Sequence, residues 1–451
     1  MSSWQARPAW QLPVQWPDGA AQSDAHAVPW ERLLKAAIVL AMLALTVLDR
    51  FGLRLTEKAA IPVGMIAMYA LVAVMLVGGA AQLNFRATVA YLAIVSVATI
   101  SVLVNVPYTP LPFISKGSLL FLIVLYAPFC FSLRQGAVAP ELWRWTLSLF
   151  IAFVVFLGMA GIVQFFAQFV FKAEWLFDFT PLIPEPLQAG GGWNTEYEIY
   201  SSGEEAFTKS NGFFMREPSI FSVIIALGLL CELSLDRRRW VMAILAAGLM
   251  VSHAASGLVC LAAGLVFPLR RSRLARGVAF ALLAASVVFL LRDTQNVRVY
   301  LNRVNELGST NSSAYCRLVA PIVDTVRQID SRPWASLIGN GPGSMMRMAE
   351  ACGLAGHPLP TTYAKALFEF GLTGTLAFGV LMIGALNRSS APLGIRVGAG
   401  VAWVMLGGLL EGLFLSFIYV VSAMWPEGAV RGLRDPAPSV SPGPKSRQGY
   451  T

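Results

Sequence analysis

WTLSLFIAFVVFLGMAGIVQFFAQFV, residues 145–170, is a run of 26 residues without a single Asp, Glu, Lys or Arg. An α-helix needs about 20 predominantly apolar residues to cross the hydrocarbon core of a bilayer. The whole chain of 451 residues shares this bias, because 56% of it is apolar and only 13% is charged. Soluble domains carry about a quarter charged residues. Most of the surface must therefore face lipid, and the sequence predicts an all-α protein that crosses the membrane many times.

Apolar segments of this kind recur along the chain. We predict twelve spans, at 33–48, 59–80, 87–105, 117–132, 145–170, 219–234, 240–253, 255–269, 277–291, 363–385, 394–410 and 412–425. Residues 394–425 could instead form one long tilted helix, which would give 11 spans. We favour a hairpin, because Glu411 and the glycines around it are typical of a turn and a charge at mid-bilayer is costly.

The net charge of +9 comes largely from short basic runs between apolar segments, such as Arg237–Arg239 and the run from Arg270 to Arg276. Such runs usually face the cytoplasm, and the sequence has no basic domain that would suit nucleic acid. Segment 1–32 lacks the basic start of a signal peptide, so we expect the first span to remain as an anchor. With segment 1–32 inside, both basic runs are cytoplasmic. The C-terminal segment 426–451 is also cytoplasmic, and its Pro, Ser and Gly content predicts disorder.

Two long segments then fall on the outer face, at 171–218 and 292–362. They separate three groups of spans, at 33–170, 219–291 and 363–425. Loops beyond about 15 residues in a compact fold are usually functional, so we expect the functional residues there.

The first loop ends in Lys209-Ser-Asn-Gly-Phe-Phe-Met-Arg216-Glu217-Pro-Ser219, directly before a predicted span. Lys209, Arg216 and Glu217 therefore lie where water meets the membrane. Long basic side chains at such positions often only anchor a helix at the headgroups. Binding of an anionic substrate is the functional alternative.

The second loop carries Arg317 and Asp324 on one face of a predicted amphipathic helix over 313–330, with Arg332 following. The run Ile-Gly-Asn-Gly-Pro-Gly-Ser, residues 338–344, predicts a tight turn. The backbone N–H groups of glycines such as Gly341 and Gly343 can bind an anion, although a purely structural turn explains the same pattern. His357 follows, between Gly356 and Pro358.

Together these motifs resemble the O-antigen polymerases and ligases. The first-loop motif resembles the one that precedes a middle helix in that family, and Arg317 with Arg332-Pro333 and the glycine run resembles its second-loop signature. His357 and Glu369-Phe370-Gly371-Leu372-x-Gly374 are similar to its His-Asn and Glu-x-Gly-Leu-x-Gly elements. Ser252-His253-Ala254-Ala255-Ser256-Gly257, between paired helices, also fits. Two departures are Lys209, where the family often has Arg, and Pro358, where it has Asn.

The resemblance implies an inner-membrane glycosyltransferase of the Wzy polymerase type, with a fold like that of the GT-C glycosyltransferases. Such an enzyme transfers a glycan from undecaprenyl pyrophosphate to a sugar hydroxyl of another lipid-linked repeat unit at the periplasmic face, building O-antigen or exopolysaccharide. It needs no metal or other cofactor. Membrane lipid surrounds it, and a flippase and a chain-length regulator are its possible protein partners.

The roles of individual residues follow from the same resemblance. Arg317 and Arg216, helped by Lys209, would bind the pyrophosphate, because Arg forms bidentate, permanently charged hydrogen bonds to phosphate. Arg332 and the glycine run at Gly341 and Gly343 would add further donors. An attacking hydroxyl also needs a general base, for which His357 is the first candidate and Glu217 the reserve.

Three alternatives remain. An O-antigen ligase differs mainly in its acceptor. A lipid-linked oligosaccharide flippase usually has ionisable residues at mid-membrane and two related halves, whereas here the charges lie in the outer loops. A sensor or scaffold explains neither loop. Of the five cysteines, Cys316 and Cys352 lie in the second outer loop, and we predict a disulfide between them.

Overall fold

The computed structural model describes residues 24–56, 59–107, 116–171, 173–189, 198–200, 206–266, 315, 319–345, 361–405, 409–410 and 412–428. Several predictions fall outside these residues: Arg317, His357, the Cys316–Cys352 disulfide, the span at 277–291 and the disordered tail.

The described residues are mostly helical. The α-helices are α1 (Asp24–Thr46), α2 (Val63–Val77), α3 (Phe85–Asn105), α4 (Lys116–Tyr126), α5 (Pro140–Phe171), α6 (Pro218–Ser234), α7 (Arg239–Val251), α8 (Ala255–Val266), α9 (Ala320–Ser331), α10 (Pro333–Ile338), α11 (Thr362–Asn387), α12 (Leu393–Met405) and α13 (Gly412–Ile418), the last continued by a π-helix at Tyr419–Ala423. All of these except α9 and α10 overlap predicted spans, and α9 overlaps the predicted amphipathic segment 313–330.

Three of the described helices, α3, α5 and α11, are both long and apolar enough to cross a membrane, and seven shorter apolar segments accompany them. The structure therefore agrees with a helical membrane protein, while the number of crossings stays a prediction. Helices α12 and α13 are separate, which excludes one long helix. The Ser390 N–H before α12 donates to the Trp425 carbonyl after α13, so the chain reverses between these two helices, while their crossing of the membrane stays a prediction.

Short antiparallel strand pairs join some helices. They are β1 (Gly52–Thr56) with β2 (Ala59–Pro62), β3 (Ala81–Leu83) with β4 (Phe131–Leu133), and β5 (Glu198–Tyr200) with β6 (Ala206–Thr208). Three 3-10 turns, at Glu174–Leu176, Thr180–Leu182 and Glu185–Leu187, form the described start of the first predicted loop. This loop therefore contains regular structure close to the helix ends.

Hydrogen bonds between helix ends show how the first helices are directed. Arg216, before α6, donates from its backbone N–H to the Asp49 carboxylate, which follows α1. Ser210 donates from its backbone to the carbonyl of Val251 at the end of α7 and from its hydroxyl to that of Gly161 in the second half of α5. The start of α6 and the ends of α1, α5 and α7 therefore meet at one end of the bundle, which we call the loop end.

Ends of the later helices also lie at the loop end. Thr362, at the start of α11, donates to the carbonyl of Trp403 near the end of α12. Gly264 near the end of α8 packs on Gly394 near the start of α12, so these two helices are antiparallel and α8 begins at the loop end. The starts of α6, α8 and α11 thus share the loop end with the end of α12.

Small residues allow the helices to approach closely. A Cβ atom at Gly248 of α7 would lie 3.2 Å from the Cα atom of Gly158 in α5, and one at Gly228 of α6 would lie 2.6 Å from Val154. Close backbone approach at small residues is typical of helix packing in membranes.

The helix α11 is broken near its start, which the pattern of apolar residues does not predict. Gly371 has a φ of +63°, and a Cβ atom there would lie 2.4 Å from the carbonyl carbon of Leu337. Glycine adopts positive φ without steric cost. The break therefore separates the residues up to Phe370 from the long apolar part of α11.

Candidate functional site

A buried ion pair fixes the end of the first-loop motif. The guanidinium of Arg216 donates from Nη2 to Asp49 Oδ1 at 2.9 Å and from Nε to both carboxylate oxygens at 3.2 Å. The two side chains are only 6% and 2% exposed. Arg216 is one of the predicted pyrophosphate ligands, and here its charge is balanced by a carboxylate of the protein.

Arg50, which follows Asp49 in the chain, forms a second ion pair, in which the arginine is buried and the acid partly buried. Arg50 donates to the carboxylate of Asp178, to Thr180 Oγ1 at 2.8 Å, and to the carbonyls of Phe177 and Met215 at 2.8 and 2.7 Å. Burial lowers the pKa of Arg50, and the charges of Asp178 and Asp49 oppose that effect. Arginine keeps its charge under such conditions.

We call Asp49, Arg50, Asp178 and Arg216 the charge cluster. Two positive and two negative groups alternate there, so the cluster carries no net charge. Buried pairs of this kind fix one arrangement, because removing a single partner typically costs about 3–5 kcal/mol. The cluster therefore ties the end of α1 to the first loop at two places, one near its start and one near its end.

A network of polar side chains holds the turn before Arg216. Gln164 of α5 accepts hydrogen bonds from Ser210 Oγ at 2.6 Å and from the backbone of Phe213 at 3.0 Å, and it donates to Asn211 Oδ1 at 2.8 Å. Gly212 has a φ of +72°, and a Cβ atom there would lie 2.5 Å from the ring of Phe221. Ser210, Asn211 and Gly212 thus fix the shape of this turn.

Lys209 and Glu217 flank the turn and are less buried than the charge cluster. Lys209 Nζ lies 5.9 Å from the centre of the Phe177 ring. Glu217 precedes the first residue of α6, and its Oε2 accepts a hydrogen bond from Ser219 Oγ at 2.7 Å. Both side chains lie at the loop end, partly open to solvent.

The turn between α7 and α8 lies against the same motif. His253 lies in this turn with a φ of +47°, and its ring is 6.0 Å from that of Phe165. The imidazole is partly buried. A neutral histidine can accept a proton. The sequence motif contains His253, but the sequence alone suggests no role for it.

A second group of residues at the loop end is built on the glycine turn, residues 338–344. Asn340 donates from its backbone and its side chain to the carbonyl of Phe368 at 3.0 Å, and the Gly341 N–H donates to that of Glu369 at 2.9 Å. A Cβ atom at Gly339 would lie 2.2 Å from the carbonyl carbon of Glu369. The glycine turn and the Glu-x-Gly motif therefore pack backbone against backbone.

This contact gives Gly341 a structural role, because its N–H is already bonded to a protein carbonyl. Gly343 is buried, with a φ of +76°. Arg332 directly precedes α10 and is partly exposed. The anion-binding roles of Arg332, Gly341 and Gly343 stay predictions.

A third buried ion pair lies on the start of α11. Lys365 Nζ is 2.8 Å from Glu369 Oε1, and the two side chains are 6% and 0% exposed. Within the described part of the chain, Glu369 Oε2 has no hydrogen-bond partner. Asn105, at the end of α3, donates to the carbonyl of Gly339 at 2.9 Å, so the end of α3 supports this group as well.

Sequence reasoning missed the charge cluster for an identifiable reason. Charged residues after a predicted span are normally interpreted as solvated flanks, so Asp49 and Arg50 give no signal by themselves. Gln164 and Gln168 do give a signal of buried polar contacts, because polar side chains within an apolar span are rare and usually face the protein interior. Both are buried here.

The sequence pattern of the WcaD colanic acid polymerase family matches residues 32–340, which is about two thirds of the chain. The matched range includes the charge cluster, Lys209, Glu217 and Arg332, and it ends before Gly341, Gly343 and His357. No curated protein sequence matches the chain. Because the match covers well over half of its residues, the protein belongs to the WcaD colanic acid polymerase family.

Proposed function

We propose that this protein is a polymerase that transfers a glycan from undecaprenyl pyrophosphate to a sugar hydroxyl of another lipid-linked repeat unit. The proposal rests chiefly on one observation, that a chain of the WcaD colanic acid polymerase family has its first-loop motif, its glycine turn and the start of α11 at one end of the described helical bundle. That end would face the periplasm of a bacterial inner membrane, and the bundle would have twelve spans in a GT-C-like arrangement.

The leaving group of this reaction is a pyrophosphate with at least two negative charges. Lys209 and Arg317 are the cations proposed to meet that charge, with Arg332 as a further donor. Fixed donors placed where charge develops are each worth about 3 kcal/mol. No metal is needed in this scheme, since the side chains supply the positive charge.

Arg216 has a different part in the proposal. Its pairing with Asp49 leaves it little free charge, so it acts mainly as a positioning residue. By holding the end of the first-loop motif, it would keep Lys209 and Glu217 at the start of α6. A fixed position is valuable, because errors of about 1 Å can cost about 100-fold in rate.

The attacking sugar hydroxyl must lose its proton. His357 is the proposed general base, and Glu217 is the reserve. His253 is a third candidate on structural grounds, because its turn lies beside the first-loop motif.

The polymerase, ligase and flippase assignments predict different lipid-linked glycans in a deletion strain. A polymerase deletion should accumulate single repeats that periplasmic glycosidases can digest, and a flippase deletion should accumulate single repeats protected from them. A ligase deletion should accumulate long chains that remain on the carrier. Long chains, or single repeats protected from digestion, would therefore contradict the proposal. If accessible single repeats are found, a flippase and a chain-length regulator are the partners to seek next.

A further inference from the structure

A groove of about 780 Å³ lies between α3 and α11, away from the loop end. Its walls are apolar and include Phe85, Val89, Leu376, Val380 and Ile383, whose side chains are between 50% and 76% exposed. Small-molecule sites have volumes of about 300–1,000 Å³. The groove is thus large enough for a ligand and open along its length.

Two arginines lie at one end of this groove. Arg86 is in the first turn of α3, and Arg388 directly follows α11. Arg388 donates to Asn84 Oδ1 at 2.6 Å, which holds its guanidinium beside the groove. The backbone N–H of Glu427 donates to the carbonyl of Arg388. Within the described part of the chain, neither arginine forms an ion pair with Glu427 or with any other acid.

The two like charges influence each other. Burial lowers the pKa of Arg388, and the charge of Arg86 lowers it further. An anion between them would remove this repulsion. The surroundings indicate which kind of anion would bind, because the two arginines lie at one end of an exposed apolar groove in a helical membrane protein.

We propose that this groove binds an anionic phospholipid, with its phosphate between Arg86 and Arg388 and an acyl chain along α3 and α11. Both arginines lie in segments predicted to be cytoplasmic, 81–86 and 386–393. The inner leaflet is rich in anionic lipid, and basic pockets between membrane helices on that side bind such headgroups. This site does not depend on the proposed polymerase activity.

The test uses the purified full-length protein, with bound lipid counted by native mass spectrometry after addition of phosphatidylglycerol or phosphatidylethanolamine. The wild type should retain phosphatidylglycerol in preference. Since each basic residue near an anionic surface contributes a factor of about five, Arg86→Gln with Arg388→Gln should weaken that binding about 25-fold. Arg239→Gln is the control, because Arg239 is also an exposed arginine at a helix start on the predicted cytoplasmic side.

A second variant tests the acyl chain separately. A Cβ atom at Gly379 would have no protein atom within 4 Å, so Gly379→Leu fills the groove without disturbing the packing. This variant keeps both arginines and should nevertheless lose the phosphatidylglycerol preference. Inorganic phosphate should not displace the lipid. Equal retention of both lipids by the wild type, or an unchanged preference in either groove variant, would overturn the proposal.

Discussion

Replacing Asp49 by Asn should destabilise the protein strongly, although the change removes only one charge. Arg216 would keep a guanidinium that is 6% exposed, with an amide where it now has a carboxylate. Removal of one partner from a buried pair typically costs about 3–5 kcal/mol. Arg50 shares this environment, and it would lose the favourable charge of Asp49 as well.

The chain contains a matched control for this experiment. Arg54 and Glu185 form an ion pair of 2.8 Å in the same part of the loop, but the Glu185 side chain is 76% exposed. Exposed pairs contribute about 1 kcal/mol or less, so Glu185→Gln should have little effect. The measurement is the fraction of monodisperse protein that remains after heating in detergent, for both variants and the wild type.

A double variant distinguishes the pair from general damage to the region. Arg216→Met removes the cation that Asp49→Asn leaves unpaired, so the two changes together should cost less than their sum. The reasoning would be refuted if Asp49→Asn were no more harmful than Glu185→Gln, or if the two changes were simply additive.

Two further predictions concern other parts of the molecule. Gly371→Ala should greatly reduce the yield of folded protein, because positive φ and a contact of 2.4 Å with the Leu337 carbonyl carbon together cost about 2–5 kcal/mol. Gly379→Ala is the control that should be tolerated, and equal yields of the two variants would contradict the prediction. Alkaline phosphatase fused after residues 200 or 330 should be active, and a cytoplasmic reporter at either site should be inactive; the opposite result would reverse the predicted topology.

The positions of the helices could be predicted from the sequence because apolar runs of sufficient length have few alternatives in lipid. The charge cluster could not, because Asp49 and Arg216 are 167 residues apart and Arg50 and Asp178 are 128 apart. Hydrophobicity predicts which charged residues lie outside the membrane, but it does not predict which of them form ion pairs with one another.

The break in α11 has a similar explanation. Glu369-Phe370-Gly371 lies in an apolar pattern that predicts an uninterrupted span. Glycine is tolerated within a helix, at a cost of about 1 kcal/mol relative to Ala, so Gly371 alone is ambiguous. Its positive φ follows from the packing of the glycine turn against it, which is a tertiary contact between distant segments.

The most direct test of the central claim uses the purified protein in lipid vesicles with a repeat unit on undecaprenyl pyrophosphate. We predict products of two or more repeats, with one undecaprenyl pyrophosphate released for each linkage formed. Arg317→Lys should slow this reaction by about 10- to 1,000-fold, the loss of about 1.4–4 kcal/mol of transition-state stabilisation. Arg327 is an exposed arginine of α9 in the same loop, and Arg327→Lys should have little effect. His357→Gln, which cannot accept the proton, should abolish it. Failure to lengthen the glycan, lengthening without release of the carrier, or equal rates for Arg317→Lys and Arg327→Lys would contradict the account.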